Sequence, residues 1–159
     1  MDTEERKRIE ELYLEMFELL MAYARSSLSR EALAEEAVQE TFRIACTKSS
    51  VLCASENPKG WLVNTLKNVI QNTRRSQNYA ERLVMLYMAQ HQESAASEDG
   101  VGLELMYGKV AQLEEFKLLK EMAVDGLSHL EMAQKRGISV DACKKRVQRA
   151  KKFLQKKIF

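Results

Sequence analysis

GLSHLEMAQKRGISVDACKKRVQRAKKFL, from Gly126 to Leu154, reads as two helices joined by a tight turn. Ser128 is placed to cap the first helix, and Glu131, three residues on, completes a capping box. That helix runs through Leu130, Met132, Ala133 and Gln134 to Gly137, a residue suited to the left-handed conformation that closes a helix. Ile138 follows as an apolar plug. Ser139 caps a second helix beginning at Val140. Its apolar residues Val140, Cys143, Val147, Ala150 and Leu154 recur at steps of three and four, which puts them on one face. Lys144, Lys145, Arg146, Arg149, Lys151 and Lys152 occupy the other faces.

Small Ala133 allows a close helix crossing, the glycine makes the turn, and the second helix has the geometry of one that enters a DNA major groove. From Ser139 to Phe159 the chain carries eight Lys and Arg against Asp141 alone, a net +7. The whole chain carries +2, which leaves −5 for the rest and points to a polyanion-binding end. Charge alone would favour a solvated amphipathic helix. The turn, both caps and the apolar spacing together favour DNA. With the apolar face inward, Asp141, Ala142, Lys144 and Lys145 stand where such a helix reads bases. Arg149, Lys151 and Lys152 lie further along, at phosphate positions.

The remainder predicts an all-α protein. A chain of 159 residues accommodates one ordinary domain or two small ones, and it holds one Pro and six Gly. No apolar run is long enough to span a membrane, and MDTEERKRIEE is no signal peptide, so the expected location is the cytoplasm. Cys46, Cys53 and Cys143 lack the spacing of a zinc site or a disulfide framework. His91 and His129 have no ligand-like companions. With no nucleophile–base pair, phosphate loop or metal cluster, neither an enzyme nor a cofactor is expected.

Residues 3–27 carry a helical stripe of Ile9, Leu12, Met16, Phe17, Leu20, Tyr23 and Ala24. A second helix is expected over about 30–47, with Leu33, Ala37, Val38, Thr41 and Phe42 inward and Glu35, Glu36, Gln39 and Glu40 outward. Lys48–Glu56, KSSVLCASE, reads as a polar loop. Asn57-Pro58 then opens a helix with Trp61, Leu62, Thr65, Leu66, Val69 and Ile70 inward. No acid occurs between Asn57 and Ala80, whereas Lys59, Lys67, Arg74, Arg75, Asn64, Asn68, Gln71 and Asn72 do. Such a surface suits phosphates and exposed bases. Trp61 fits a core anchor as well as a base contact. The pattern continues weakly through Tyr79, Leu83, Leu86 and Tyr87. Ala89–Gly102 reads as a flexible acidic linker, and helical periodicity returns with Leu103, Met106, Val110, Leu113, Phe116, Leu119 and Met122. Two small helical domains result: 1–88, a linker over 89–102, and 103–159 with the helix-turn-helix.

Three segments in this order resemble the extracytoplasmic-function (ECF) sigma factors. LAEEAVQETFRIA (Leu33–Ala45) resembles their core-polymerase-binding helix. NPKGWLVNTLKNVIQNTRR (Asn57–Arg75) resembles their promoter-melting helix, and the opening stretch their C-terminal helix-turn-helix. The Leu-Pro that usually opens their C-terminal domain is missing from AQLEEFKLLKEM. The resemblance implies a dissociable specificity subunit of bacterial RNA polymerase. Glu36, Gln39, Glu40 and Phe42 would belong to the helix that docks on core polymerase. The Lys48–Glu56 loop with Asn68 would hold a flipped base of the minus-ten element. Lys67, Arg74 and Arg75 would contact backbone near the melted region. Ser139, Asp141, Ala142, Lys144, Lys145, Arg146 and Arg149 would meet the minus-thirty-five duplex of promoter DNA. An anti-sigma protein is an expected further partner. The helix-turn-helix alone also fits a conventional regulator of duplex DNA, or a sigma-like protein reduced to regulation.

Overall fold

The computed structural model describes the backbone of residues 1–95 and 114–159, and the side chains of all of these except 92–95. The described residues are helical, without a strand: α1 (Thr3–Ser27), α2 (Glu31–Thr47), α3 (Ser49–Ala54), α4 (Pro58–Ala95), α5 (114–123), α6 (His129–Arg136) and α7 (Val140–Ile158). They form two compact units, Met1–Arg75 and Ser76–Phe159.

In the first unit α1 starts at a reciprocal cap. The Glu5 N–H donates to the Asp2 side chain at 2.8 Å, and the Asp2 N–H to the Glu5 carboxylate at 3.3 Å. The expected stripe is buried at Ile9, Leu12, Met16, Leu20 and Ala24, joined by Met21. Phe17 packs at its margin, while Tyr23 is 39 % exposed. On α2 the small residues Ala34, Ala37 and Ala45 are buried beside Leu33, Val38 and Phe42, which lets α1 and α2 approach closely. Buried Thr41 is satisfied by donating to the Ala37 carbonyl at 2.9 Å. Arg25 at the end of α1 forks onto Glu31 at the start of α2, with a shortest distance of 2.8 Å.

The expected polar loop over Lys48–Glu56 contains α3. Leu52 is fully buried, and Ser49 is buried and donates to Glu5 at 3.0 Å, which fastens α3 to the start of α1. Asn57 caps α4 by accepting from the Gly60 N–H at 3.0 Å. A Cβ on Gly60 would stand 2.4 Å from the Asn57 amide nitrogen, so this glycine makes room for the cap. Leu62, Leu66, Val69 and Ile70 then enter the first core.

The helix does not stop at this unit. Ala80, Leu83, Val84 and Tyr87 of α4 are buried with Leu118, Leu119 and Met122 of α5, Met132 and Ala133 of α6, and Cys143, Val147, Ala150 and Leu154 of α7. Among the described residues of the second unit, α5, α6 and α7 therefore share their core with the C-terminal half of α4. The boundary between compact units falls after Arg75, whereas the sequence pattern places a domain end at 88. Between Trp61 and Asp99 there is neither Gly nor Pro to stop the helix. Of the expected linker 89–102, residues 89–95 are helical and 96–102 lie outside the described residues. Leu103, Met106, Val110 and Leu113 also lie outside them.

Candidate nucleic-acid interface

The helix-turn-helix is built as its sequence requires. Ser128 Oγ accepts from the Glu131 N–H, and the Glu131 carboxylate accepts from the Ser128 N–H, each at 3.1 Å. Gly137 ends α6 at φ +65°, and the Ile138 N–H reaches back to the Ala133 carbonyl at 3.0 Å. Nothing lies within 4 Å of a Cβ placed on Gly137, so backbone conformation rather than space demands glycine here. Ser139 Oγ caps α7 by accepting from the Ala142 N–H at 3.1 Å.

Burial of Cys143, Val147, Ala150 and Leu154 orients α7. Ser139, Asp141, Lys145, Arg146 and Arg149 are exposed and Ala142 and Lys144 half-buried, so the predicted set surrounds the buried face, with Lys144 and Arg146 on opposite flanks of it. At about 1.5 Å per residue, Asp141 to Arg149 spans roughly 12 Å. One cation leaves the expected pattern. Lys151 is 8 % exposed and donates to Ser76 Oγ of α4, and burial lowers its pKa. It is a core lysine of the second unit, not a surface phosphate contact, because α4 covers that edge of α7.

Pattern reading missed a support beneath the turn. Glu121 of α5 is 7 % exposed, and it accepts from Lys135 Nζ at 2.7 Å and from the Arg136 guanidinium at 2.6 Å. Burial pushes its carboxyl up, but hydrogen bonds from Arg136 and Lys135, with their charges, hold it below the usual range. The available signal was an acid within the apolar run of α5 and a Lys-Arg pair closing α6. Nearby, Arg136, Arg146 and Arg149 line a cleft of about 230 Å³ with Glu114, Glu115 and Leu118.

The first unit carries an open cleft of about 570 Å³ on α4. Lys48 and Val51, from the segment around α3, line it together with Trp61, Asn64, Asn68 and Asn72. The structure thus brings Asn68 to the segment predicted to share its role. Trp61 is half-buried, packing on the core while lining the cleft. Asn64, Asn68, Asn72 and Arg75 recur at steps of four and three along one stripe of α4, and all are exposed. Lys67 and Arg74 fall on a different stripe, turned towards α1. Lys67 Nζ stands 6.0 Å from the Tyr23 ring centroid, and Arg74 donates to the Ser27 carbonyl. The three predicted backbone cations therefore do not form one surface.

On α2, Gln39 is exposed, and Glu36 and Glu40 are half-exposed. Glu40 pairs with Arg43 at 2.6 Å. Phe42 is 8 % exposed and meets Tyr13 edge-on at 4.8 Å, so it holds the helix from inside rather than joining the outer face.

An all-helical chain with a capped, basic helix-turn-helix is a DNA-binding protein by architecture. Residues 12–79 match the family model of Sigma-70 region 2, and residues 115–154 that of Sigma-70, region 4. The chain belongs to the sigma-70 family, with the region 2 and region 4 architecture of the ECF sigma factors. Comparison with curated proteins and with solved structures found no match. As a sigma factor it directs promoter recognition by RNA polymerase in transcription initiation. No described helix is long and apolar enough to cross a membrane.

Proposed function

We propose a division of this work among named surfaces. The outer face of α2, at Glu36, Gln39 and Glu40, docks on core polymerase. The cleft between the α3 segment and α4 receives an unpaired minus-ten base, with Asn68 as the hydrogen-bonding amide and Arg75 on the flanking phosphate. Helix α7 lies in the minus-thirty-five duplex, with Asp141, Ala142, Lys144 and Lys145 towards base edges and Arg146 and Arg149 on phosphates. The observation that carries the reading is the cleft itself, where Lys48, Val51, Trp61 and Asn68 meet. An amide beside an indole can pair with a base edge and cover its face.

The protein contributes binding and positioning and has no catalytic chemistry of its own. It acts in the cytoplasm, where an anti-sigma protein holds it until needed. The docking assignment is tested with Glu36→Lys combined with Gln39→Ala. These are outer-face positions, where a substitution changes stability by about 0.5 kcal/mol or less. Affinity for core polymerase falls while helicity is retained. Undiminished affinity would move the docking face elsewhere.

A further inference from the structure

The cleft beside the recognition helix contains acid as well as cation. Glu115 of α5 is half-buried there and, with Glu114, lines the same wall space as Arg146 and Arg149 of α7. Burial raises the Glu115 pKa, and the nearby charges of Arg146 and Arg149 only partly oppose that rise, so the acid shares the cleft with the two guanidiniums without being paired to either. The helix they serve is strongly basic, with +7 between Ser139 and Phe159. Phosphate attraction of that kind carries no sequence information and grows with every added cation. A reader that must find one site among many gains from limiting it, since discrimination is the ratio of specific to non-specific binding.

We propose that Glu115 is a specificity-determining residue of the duplex contact: its charge, in the same cleft as Arg146 and Arg149, subtracts from their sequence-independent attraction to phosphate. The inference rests on the assignment of those two arginines to phosphates. On the right promoter, base contacts at the start of α7 fix the register and the arginines reach phosphate despite the acid. On other DNA no base contact compensates, and the carboxylate shortens the encounter. Glu115 is a positioning residue, because it acts through the arginines.

The test uses the full chain assembled with core polymerase. It compares binding to a promoter fragment selected from a randomised library with binding to a scrambled duplex of equal length, over a salt series. Glu115→Gln is expected to tighten scrambled-duplex binding several-fold, to steepen its salt slope by about one, and to lower the promoter-to-scrambled ratio. Glu115→Asp keeps the charge and is expected to stay near wild type in slope. With Arg146→Ala and Arg149→Ala also present, Glu115→Gln is expected to change nothing. A wild-type slope and scrambled affinity in Glu115→Gln overturns the proposal. So does a gain that survives without the arginines, or Glu115→Asp behaving like Glu115→Gln, which would assign the effect to packing. The double arginine variant alone reports on the underlying assignment. If it binds both duplexes as tightly as wild type, α7 makes no phosphate contact there and both readings fall together.

Discussion

Lys151 of α7 donates to Ser76 Oγ of α4, placing a cation of the recognition helix inside the second unit. Burial lowers its pKa, so the folded protein binds this proton less tightly than the unfolded chain does. Stability therefore rises with pH as the folded pKa is passed, and the gain ends at the ordinary lysine value of 10.5. Lys151→Met, which keeps the bulk and removes the charge, should lose this alkaline gain. Urea unfolding of both proteins between neutral pH and pH near ten checks it. The salt slope of DNA binding should be unchanged in Lys151→Met, whereas a slope lower by about one would return Lys151 to the phosphate-contacting surface.

Glu121 has the opposite sign. Its folded pKa lies below the ordinary carboxyl value of 4.5 because Arg136 and Lys135 outweigh burial. Its contribution is fully present above that value and is lost as pH falls through the lower folded one. Glu121→Ala would leave Arg136, whose side chain is 15 % exposed, without its carboxylate. A cost of about 3 kcal/mol at neutral pH is expected, and it should shrink on acidification. Denaturation of the variant across acid pH measures both. A constant difference from wild type at all pH values would show that packing, not the ion pairs, makes Glu121 matter.

At Gly137 the substitution cost has one source. With open space around the Cβ position, Gly137→Ala should lose about 1–2 kcal/mol through the left-handed backbone alone. Gly137→Asn should recover part of that, since Asn enters this region more readily. Equal losses for Ala and Asn, measured by unfolding, would point to a steric conflict instead.

Asn68 is exposed in the α4 cleft, on a different stripe from Lys67. Asn68→Ala should impair open-complex formation more than closed-complex binding, because an unpaired base exists only after melting. Lys67→Ala should affect both little, since its amine lies over Tyr23. Permanganate reactivity of the minus-ten bases reports the difference. Wild-type reactivity in Asn68→Ala would make this amide ordinary surface.

The helix-turn-helix was readable because its signals are local. Ser128, Gly137 and Ser139 each act within four residues, and the α7 stripe is periodic over its whole length. The α3 segment was not, because six residues with Leu52 buried give no period to detect. The second half of α4 looked like a fading helix before a linker. Its stripe of Ala80, Leu83, Val84 and Tyr87 acquires meaning only from the partners it meets on α5, α6 and α7. The same tertiary contact hides Lys151, which shares its charge with exposed Lys152 but not its surroundings. In the cleft, the role given to Asn68 comes from the resemblance alone, and the structure adds only that it lies beside Trp61 and Val51. The separation of Arg75 from Lys67 and Arg74 needed the position of α1.

Promoter-directed run-off transcription, reconstituted from purified core polymerase, this chain and a randomised promoter library, tests the central claim most directly. The account predicts transcripts that depend on the chain and that start downstream of an enriched pair of elements, one melted and one duplex. DNA binding without any chain-dependent transcript would contradict it, and would make the protein a regulator that keeps the sigma fold without the sigma function.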